Sequence, residues 1–336
     1  MSQIKVGIFG ASGYAGQELV ALLRRHDEVV ICFATSNRDA GEPVAGTPLS
    51  YIPHDSAPLE EVDAVFLALP HKASAAFAAQ ALAAGCRVLD LSADLRMKDA
   101  ASYERWYRTP HPHPELLPTP YGLPELSREG LADARAIAVP GCYPACTLLG
   151  LFPLLLSASL DTNEAIFVDA KSGVSGAGRE PRANTHFCEV TENLSPYNPG
   201  RAHRHVGEME QGITQFLNGA DPPPFYFVPH LIPVDRGLMA SIYLKLRDSL
   251  EAQDAQSLYE ETYQHEPLVH VLPVGKQATI RQVARSNLCL ISLTPLPPNR
   301  LHITSVIDNL GKGAAGLAVQ NFNLMFSLPE TDALLT

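Results

Sequence analysis

The sequence lacks any stretch that would suggest a membrane protein. No apolar run approaches the roughly 20 residues that a membrane-spanning helix needs, and a strand-like pattern at 4–9 follows almost directly on the first residues. The charged, apolar and small-residue regions of a secretory signal do not occur there. We therefore expect a cytoplasmic protein that has no membrane partner.

Positive charge is also scarce. Lys and Arg together number 25 and Asp and Glu 36, which gives a formal net charge of −11 at pH 7. A nucleic-acid-binding protein needs a basic face, so we expect no nucleic-acid partner. An anionic small molecule would need a local group of arginines to offset the overall charge.

Cysteine pairs at metal-binding spacing are scarce as well. The chain has six cysteines, most of them within apolar runs. Cys142 and Cys146 are the one close pair, and no second cysteine or histidine pair stands at zinc spacing from them. We expect neither a disulfide nor a bound metal.

The patterns that are present predict two domains, in keeping with a length of 336 residues. The first part alternates strands and helices, which predicts a doubly wound parallel sheet. Its strand patterns lie at 4–9, 29–35, 64–69, 87–91 and 136–140, and its helix patterns at 17–24 and 73–84. After about residue 146 fewer helices separate the strands, which indicates a mixed or antiparallel sheet in a second α/β domain. The strand patterns there lie at 165–170, 225–234, 239–246, 268–274, 287–294 and 301–307, and the helix patterns at 147–157, about 206–218 and about 249–263.

A glycine loop follows the first strand and opens the first helix. Gly10, Gly13 and Gly16 let the backbone turn tightly and approach a pyrophosphate, which then lies at the helix N-terminus. The spacing G-x-x-G-x-x-G meets the commoner G-x-G-x-x-G fingerprint only in part, and a glycine-rich turn without a ligand is the alternative. The cofactor contacts predicted in this loop are Gly10, Ser12, Gly13, Tyr14, Ala15 and Gly16.

The end of the second strand bears on which dinucleotide is bound. An NAD site usually places Asp or Glu there for the ribose 2′-hydroxyl, whereas this chain has Thr35-Ser36-Asn37-Arg38. Hydroxyl groups and an arginine suit a 2′-phosphate, so Ser36 and Arg38 favour NADP. The alternative is that Arg38 is a solvated loop charge.

Cys142 stands where a short strand pattern, the turn Pro140-Gly141 and a long apolar helix pattern meet. The positive end of a helix favours a thiolate, which is the nucleophilic form of cysteine, and the nearby N–H groups could hold an oxyanion. A buried structural cysteine is the alternative. Cys146 lies one helical turn further on and is expected to be structural.

The segment His203-Arg204-His205 is an unusual cluster that is followed by Glu208. Histidine exchanges protons near neutral pH, as a general acid or base must, and arginine can clamp a carboxylate or a phosphate. Two alternatives remain: a metal site, for which a third ligand is not evident, and a solvated basic loop.

Two further loops follow predicted strands. The segment Lys171–Arg179 is rich in Gly and Ser and could bring N–H and hydroxyl groups near a substrate, or it could be a flexible surface loop. The segment Asp90–Arg96 lies at the carboxyl end of a strand, where ligands bind in open parallel sheets. Arg96 is therefore a candidate for binding an anionic group, although a surface arginine would be unremarkable.

Over nearly its whole length the chain resembles the N-acetyl-γ-glutamyl-phosphate reductases of arginine biosynthesis, which are related to the aspartate-semialdehyde dehydrogenases. The matching segments are Gly10–Gly16, Leu91–Arg96, Pro140–Pro144, Lys171–Arg179, His203–His205 and Gly311–Asn321. The resemblance implies a Rossmann-type NADP-binding domain, formed by residues 1–145 with 311–336. It implies that residues 146–310 form a catalytic and oligomerisation domain, assembled as a homodimer or homotetramer.

The resemblance also implies residue roles. Cys142 would be the nucleophile and His203 the acid and base, with His205 beside it. The implied substrate contacts are Arg96, Ser172, His205, Glu208 and Arg236, and further cofactor contacts are Gly173, Ser175, Gly176 and Asn309. Which arginine meets the phosphate and which the α-carboxylate stays open.

The implied reaction is NADPH-dependent reduction of N-acetyl-L-glutamyl 5-phosphate to the 5-semialdehyde and phosphate, by way of a thioester on Cys142. A carrier-linked aminoadipate phosphate reductase of lysine biosynthesis would have the same core motifs. An aspartate-semialdehyde dehydrogenase would place its base in a motif that the chain does not contain. A non-catalytic NADP-binding sensor on this fold would be expected to lack Cys142 or the histidines, which are present.

Overall fold

The structure, a computed structural model, describes residues 3–217, 221–248 and 251–335. It divides into two compact units, one formed by Met1–Gly141 with Ala314–Thr336 and the other by Cys142–Gly313. The domain boundary after residue 145 stays a prediction; in the structure, residues 142–145 belong to the second unit. Within the described ranges, no helix is both long and apolar enough to cross a membrane.

The strands are β1 (Ile4–Phe9), β2 (Val29–Ala34), β3 (Ala64–Leu67), β4 (Arg87–Asp90), β5 (Ala136–Ala138), β6 (Ile166–Ser172), β7 (Ser195–Pro196), β8 (Phe225–Leu231), β9 (Leu238–Lys245), β10 (Val269–Val271), β11 (Cys289–Leu296) and β12 (Arg300–Ile307). The helices are α1 (Tyr14–Leu23), α2 (Ser74–Ala83), α3 (Ala100–Tyr107), α4 (Cys142–Leu156), α5 (Phe187–Val190), α6 (His205–Thr214), α7 (Ala252–Tyr263), α8 (Ile280–Val283) and α9 (Gly316–Met325). A π-helical turn, Gly311–Ala315, precedes α9.

The sheet of the first unit is parallel and has the strand order β2-β1-β3-β4-β5. This confirms the predicted doubly wound domain. Val6, Ile8 and Phe66 on its central strands are fully buried, as expected for a parallel sheet that is covered on both faces. The strand order reverses between β1 and β3, and ligands bind at the carboxyl ends of strands at such a switch point.

The C-terminal helix α9 belongs to the first unit and packs against α1. A hydrogen bond of 2.9 Å joins His26 Nε2, just beyond α1, to Asn323 Oδ1 in α9. Asn321 Nδ2 donates to the carbonyl of Gly122 at 2.9 Å, and Gly122 is needed there because a Cβ would collide with the Asn321 side chain. Side chains from the end of the chain therefore stabilise the same unit that the N-terminal strands form.

The sheet of the second unit is mixed, as predicted, and has the order β10-β11-β12-β9-β6-β8-β7. β6 pairs with β8, and β10 with β11, in parallel, while the other neighbours are antiparallel. The apolar helix α4 packs against β9 and β12. Gly150 allows this close approach, because a Cβ there would lie 2.9 Å from Ile242 Cδ1.

Some predicted elements differ from the structure. The helix predicted at 147–157 begins at Cys142, because α4 is buried almost all round and has no polar face to mark its start. The strand predicted at 268–274 is the shorter β10, and α3 was not predicted. The helices predicted at about 206–218 and 249–263 correspond to α6 and α7, although positions 218 and 249–250 lie outside the described residues.

Candidate active site

The glycine loop after β1 packs tightly against neighbouring backbone at Gly10 and Gly16, while the space beside Gly13 is open. Gly10 has φ +71°, and a Cβ there would collide with the carbonyl oxygen of Ala68. A Cβ at Gly16 would likewise collide with the carbonyl oxygen of Gly10. Gly13 is the N-cap of α1 and has no side chain to cap the helix, whose first turn, Tyr14–Gln17, is uncharged. The N–H groups of this turn therefore suit a pyrophosphate.

The end of β2 is linked to this loop by side chains. The hydroxyl oxygens of Ser12 and Ser36 lie 2.8 Å apart and are buried. Ser36 Oγ also accepts from the Asp39 N–H at 3.1 Å, and Arg38 forms an ion pair with the Asp39 carboxylate at 3.4 Å. Ser36 thus lies next to the glycine loop, and its contact with a cofactor stays a prediction. Asp39 is not among the predicted site residues, because it lies one residue beyond the segment Thr35–Arg38 on which the prediction was based.

Arg96 lies at the carboxyl edge of the same sheet and is largely buried. Its Nε donates to the carbonyl of Val139 at 2.8 Å, and its Nη2 donates to the carbonyl of Leu91 at 2.7 Å. These bonds hold the guanidinium across the ends of β5 and β4. Arg96 is therefore a positioned cation and not a mobile surface charge.

In the second unit, Cys142 is the first residue of α4 and is half-buried. The first turn of α4 consists of uncharged residues, Cys142–Ala145. Gly313 leaves room beside the thiol, because a Cβ on Gly313 would lie 2.8 Å from Cys142 Cβ. The sulfur-bearing side chain thus stands at the positive end of a helix, where a thiolate is favoured.

Cys146 has a different environment. It is completely buried, and its Sγ donates to the carbonyl of Ser305 at 3.2 Å. Burial raises the pKa of the Cys146 thiol well above its usual value, so this side chain remains a neutral thiol. The alternative nucleophile therefore lies in the packed core between α4 and β12.

His203 precedes α6 in a pocket of aromatic rings. Its ring centroid lies 5.8 Å from that of Tyr143, 5.7 Å from that of Tyr197 and 5.2 Å from that of Phe227. Burial, followed by the nearby charge of Arg204, lowers the pKa of His203 to about 4. The ring is therefore neutral near pH 7. Because its Nδ1 accepts from the His205 N–H at 3.2 Å, the proton of the neutral ring resides on Nε2.

Two tyrosines connect the histidine to the cysteine side of the site, and sequence reasoning assigned neither a role. Tyr197 Oη donates to Tyr143 Oη at 3.0 Å. Burial has the largest effect on the Tyr143 phenol and raises its pKa, while a hydrogen bond with Ser172 acts weakly in the opposite direction. Tyr143 follows Cys142 directly, and Tyr197 comes shortly before the H-R-H segment. Nearness to those motifs was the only signal that could have identified them.

The Gly/Ser loop after β6 is fixed to the turn after β12. Asn309 Nδ2 donates to Ser175 Oγ at 2.9 Å, while Asn309 Oδ1 accepts from the Gly237 N–H at 2.7 Å. A Cβ at Gly176 would lie 2.9 Å from Ser172 Oγ, and a Cβ at Gly173 would lie 2.7 Å from the carbonyl oxygen of Asp235. Ser172, Gly173, Ser175, Gly176 and Asn309, all predicted as ligand contacts, are thus brought together.

Arg236 and Glu208 are both buried in this unit. Arg236 forms an ion pair with the fully buried Asp308, with Nε 3.1 Å from Oδ2. Asp308 Oδ1 also accepts from the N–H groups of Leu310 and Gly311, which fixes the turn that contains Asn309. Glu208 lies in the first turn of α6, where a carboxylate is favoured by the helix dipole.

The chain matches two family models in succession. Residues 5–134 match the "Semialdehyde dehydrogenase, NAD binding domain", and residues 142–309 match the "Semialdehyde dehydrogenase, dimerisation domain". Among solved structures, aspartate semialdehyde dehydrogenase II of Vibrio cholerae covers 97% of this chain and 99% of its own, with a TM-score of 0.77 and 20% identity. The enzyme of Candida albicans has a TM-score of 0.71 at 16% identity, over 96% of this chain and 98% of its own. The class is thus an α/β oxidoreductase with the semialdehyde dehydrogenase fold.

Curated relatives narrow this class. N-acetyl-gamma-glutamyl-phosphate reductase of Azotobacter vinelandii is 45% identical over 97% of this chain and 96% of the relative. The protein of the same name from Symbiobacterium thermophilum is 43% identical over 99% of this chain and 97% of the relative. The chain belongs to the N-acetyl-γ-glutamyl-phosphate reductase family, as its sequence motifs predict.

Proposed function

We propose that this protein is an NADPH-dependent reductase that converts N-acetyl-L-glutamyl 5-phosphate to N-acetyl-L-glutamate 5-semialdehyde and phosphate. The observation that carries the proposal is the pairing of a cysteine at a helix N-terminus with a buried, neutral histidine in one unit, both beside Tyr143. The names of relatives that match nearly the whole chain support the same substrate and a role in arginine biosynthesis.

Cys142 is the proposed nucleophile. Its thiolate would form a bond to the acyl carbon, and the carbon–oxygen bond to the phosphate would break, which leaves a thioester. The uncharged first turn of α4 supports this role, since N–H groups and the positive helix end favour both the thiolate and an oxyanion. When the thioester carbon has been reduced, the carbon–sulfur bond would break and release the thiolate.

His203 is the proposed acid/base residue. Its Nε2–H would donate a hydrogen bond to the carbonyl oxygen as negative charge develops on that oxygen, and the proton would stay on Nε2, because its transfer from a neutral ring would leave an imidazolate. The low pKa of His203 supports this role, because only a neutral ring has one nitrogen that donates and one that accepts. The hydrogen bond from the His205 N–H to Nδ1 would hold the required tautomer.

NADPH, when bound, supplies the hydride. The proposed contacts in the first unit are the loop residues Gly10, Ser12, Gly13, Tyr14, Ala15 and Gly16, with Ser36 and Arg38 at the end of β2. The uncapped, uncharged first turn of α1 and the space beside Gly13 fit this assignment. The proposed contacts in the second unit are Gly173, Ser175, Gly176 and Asn309, which the Ser175–Asn309 bond keeps in one arrangement.

The proposed substrate contacts are Arg96, Ser172, His205, Glu208 and Arg236. Arg96 is the candidate for the phosphate, since two backbone carbonyls orient its guanidinium. The ion pair with Asp308 supports a positioning role for Arg236, because it fixes the turn before α9.

A homodimer is the proposed assembly. On the face of the second sheet opposite α4, residues Tyr226, Phe167, Tyr243 and His302 lie in register across four adjacent strands. Phe167 and Tyr226 are 49% and 50% exposed, and their rings stack with centroids 5.0 Å apart. Such a row suits an isologous interface between two copies, and the match to a dimerisation domain supports it. A homotetramer would need a second interface.

A cytoplasmic location is proposed on chemical grounds. Cys142 must remain a free thiol to act as a nucleophile, and reducing compartments preserve thiols.

Replacing Cys142 and Cys146 one at a time tests the proposed function. We expect Cys142→Ser to abolish NADP⁺ reduction with N-acetylglutamate semialdehyde and phosphate, whereas Cys146→Ser retains most of it because Cys146 is buried in the core. The measurement is absorbance at the NADPH band, with both variants compared at equal folded concentration by circular dichroism. Near-normal activity of Cys142→Ser would refute the assignment. Turnover only with a carrier-linked aminoadipate semialdehyde would instead indicate the lysine-pathway substrate.

A further inference from the structure

Two oppositely charged side chains, those of Arg38 and Asp39, follow β2. They would have opposite effects on the binding of a 2′-phosphate. Asp39 and Arg38 are adjacent, and both Arg38 Nε and Nη2 approach the Asp39 carboxylate at 3.4 Å. The Arg38 side chain is 45% exposed and that of Asp39 is 22% exposed. The arginine that would attract a 2′-phosphate therefore already shares its charge with a less exposed carboxylate.

Asp39 is also fixed relative to the cofactor loop. Its backbone N–H donates to Ser36 Oγ at 3.1 Å, and its Oδ2 lies 3.4 Å from the same oxygen. Ser36 Oγ in turn lies 2.8 Å from Ser12 Oγ in the glycine loop. A continuous set of hydrogen bonds thus connects the Asp39 carboxylate to the loop that receives the pyrophosphate.

The chemistry of this position is general to dinucleotide-binding sheets. A carboxylate beyond the second strand accepts from the ribose 2′-hydroxyl of NAD, whereas a nearby arginine accommodates the 2′-phosphate of NADP. A carboxylate also repels a phosphate, and burial strengthens the repulsion. In this chain the Asp39 carboxylate and the Arg38 guanidinium are in contact. The environment is therefore not wholly favourable for either NAD or NADP.

We propose that Asp39 is the residue that sets cofactor selectivity: its carboxylate favours NADH, opposes the 2′-phosphate of NADPH, and so limits the preference that Arg38 creates. This inference deepens the proposed function and rests on it for the reaction. Binding of the nucleotides tests it separately.

The experiment compares the affinities of the full-length protein for NADP⁺ and NAD⁺ by isothermal calorimetry. Asp39→Asn is expected to raise the ratio of NADP⁺ to NAD⁺ affinity by about tenfold or more, the size of effect that one hydrogen bond to a charged group has. Arg38→Gln is expected to change the ratio in the opposite direction. Asp39→Ser serves as a second variant, and because the N–H that bonds Ser36 is part of the backbone, both replacements retain that bond.

Asp27→Asn is the matched control. It removes one exposed carboxylate just before β2, at the opposite end of the strand, and should leave the ratio unchanged. The proposal is overturned if Asp39→Asn and Asp39→Ser, with melting temperatures like that of the parent, alter the ratio less than twofold or no more than the control does. Reductase turnover, measured in parallel, separates the role of Asp39 from the proposed reaction. If the variants turn over substrate but the ratio of NADP⁺ to NAD⁺ affinity is unaltered, only the role of Asp39 is refuted. If the affinity ratio changes but the parent protein shows no turnover, only the reaction is refuted.

Discussion

At the scale of single residues, the surroundings of a side chain decide its chemistry. An exposed histidine has a pKa of about 6.5. Tyr143, Tyr197 and Phe227 exclude water from the His203 ring, and this burial lowers its pKa to about 4. The H-R-H motif identified the histidine. It could not reveal the aromatic enclosure, because Phe227 comes from a strand more than twenty residues away.

The low pKa of His203 predicts that the free energy of unfolding depends on pH. The folded state holds His203 neutral down to about pH 4, while the unfolded chain takes up the proton near pH 6.5. The contribution of the neutral ring is therefore complete above pH 6.5 and is lost as the pH falls towards 4, by about 3 kcal/mol in total. We expect His203→Gln to lose less free energy of unfolding than the parent over this range, measured by urea titration at each pH.

His186→Gln provides the comparison, since His186 is exposed in the same unit. It should show the same pH dependence as the parent. Equal slopes for the His203 variant and the parent would mean that His203 is not held neutral.

At the scale of elements, the local pattern predicted the types of the main helices and strands better than their ends. A strand followed by glycines and an amphipathic helix is a local signal, and β1 and α1 begin close to the predicted positions. The range 147–157 predicted for α4 starts too late, although the turn Pro140-Gly141 places Cys142 at the start of a helix pattern, because a helix that is buried on all sides has no periodic polar face to fix its bounds. Element ends depend on tertiary packing, which no short window of sequence contains.

The turn between β1 and α1 gives a prediction at this scale. Gly10→Ala should destabilise the protein by roughly 2–4 kcal/mol, because alanine is strained at φ +71° and its Cβ would collide with the carbonyl oxygen of Ala68. Gly13→Ala should cost less than about 1 kcal/mol, since the nearest atom to its Cβ lies 3.5 Å away. Urea denaturation measures both losses.

The same pair separates folding from binding. Gly13→Ala should weaken NADP⁺ binding although the protein remains folded, because the added methyl group would occupy the open side of the loop. Unchanged affinity in this variant would contradict the assignment of the loop to the pyrophosphate.

At the scale of the whole molecule, each of the two units has its own sheet, and the aromatic row on the second sheet faces outward. We expect Tyr226→Asp to convert the proposed dimer to a monomer, because a charge would be buried in the interface. Val274→Asp changes another exposed apolar side chain of the second unit and should leave the dimer intact. Sedimentation velocity measures the masses, and a dimeric Tyr226→Asp protein would place the interface elsewhere.

The sequence by itself determined what is local: the glycine loop, the apolar helix with Cys142 at its N-terminus, the H-R-H cluster and the two-domain order of strands and helices. These patterns can be recognised locally, because the geometry of a turn, a strand or a helix sets the spacing of their residues. Only the tertiary structure decided the contacts between distant residues. Tyr197 meets Tyr143 and Arg236 meets Asp308 across 54 and 72 positions in the chain, because sheet pairing and burial bring those residues together, and the charge states in the site depend on that burial.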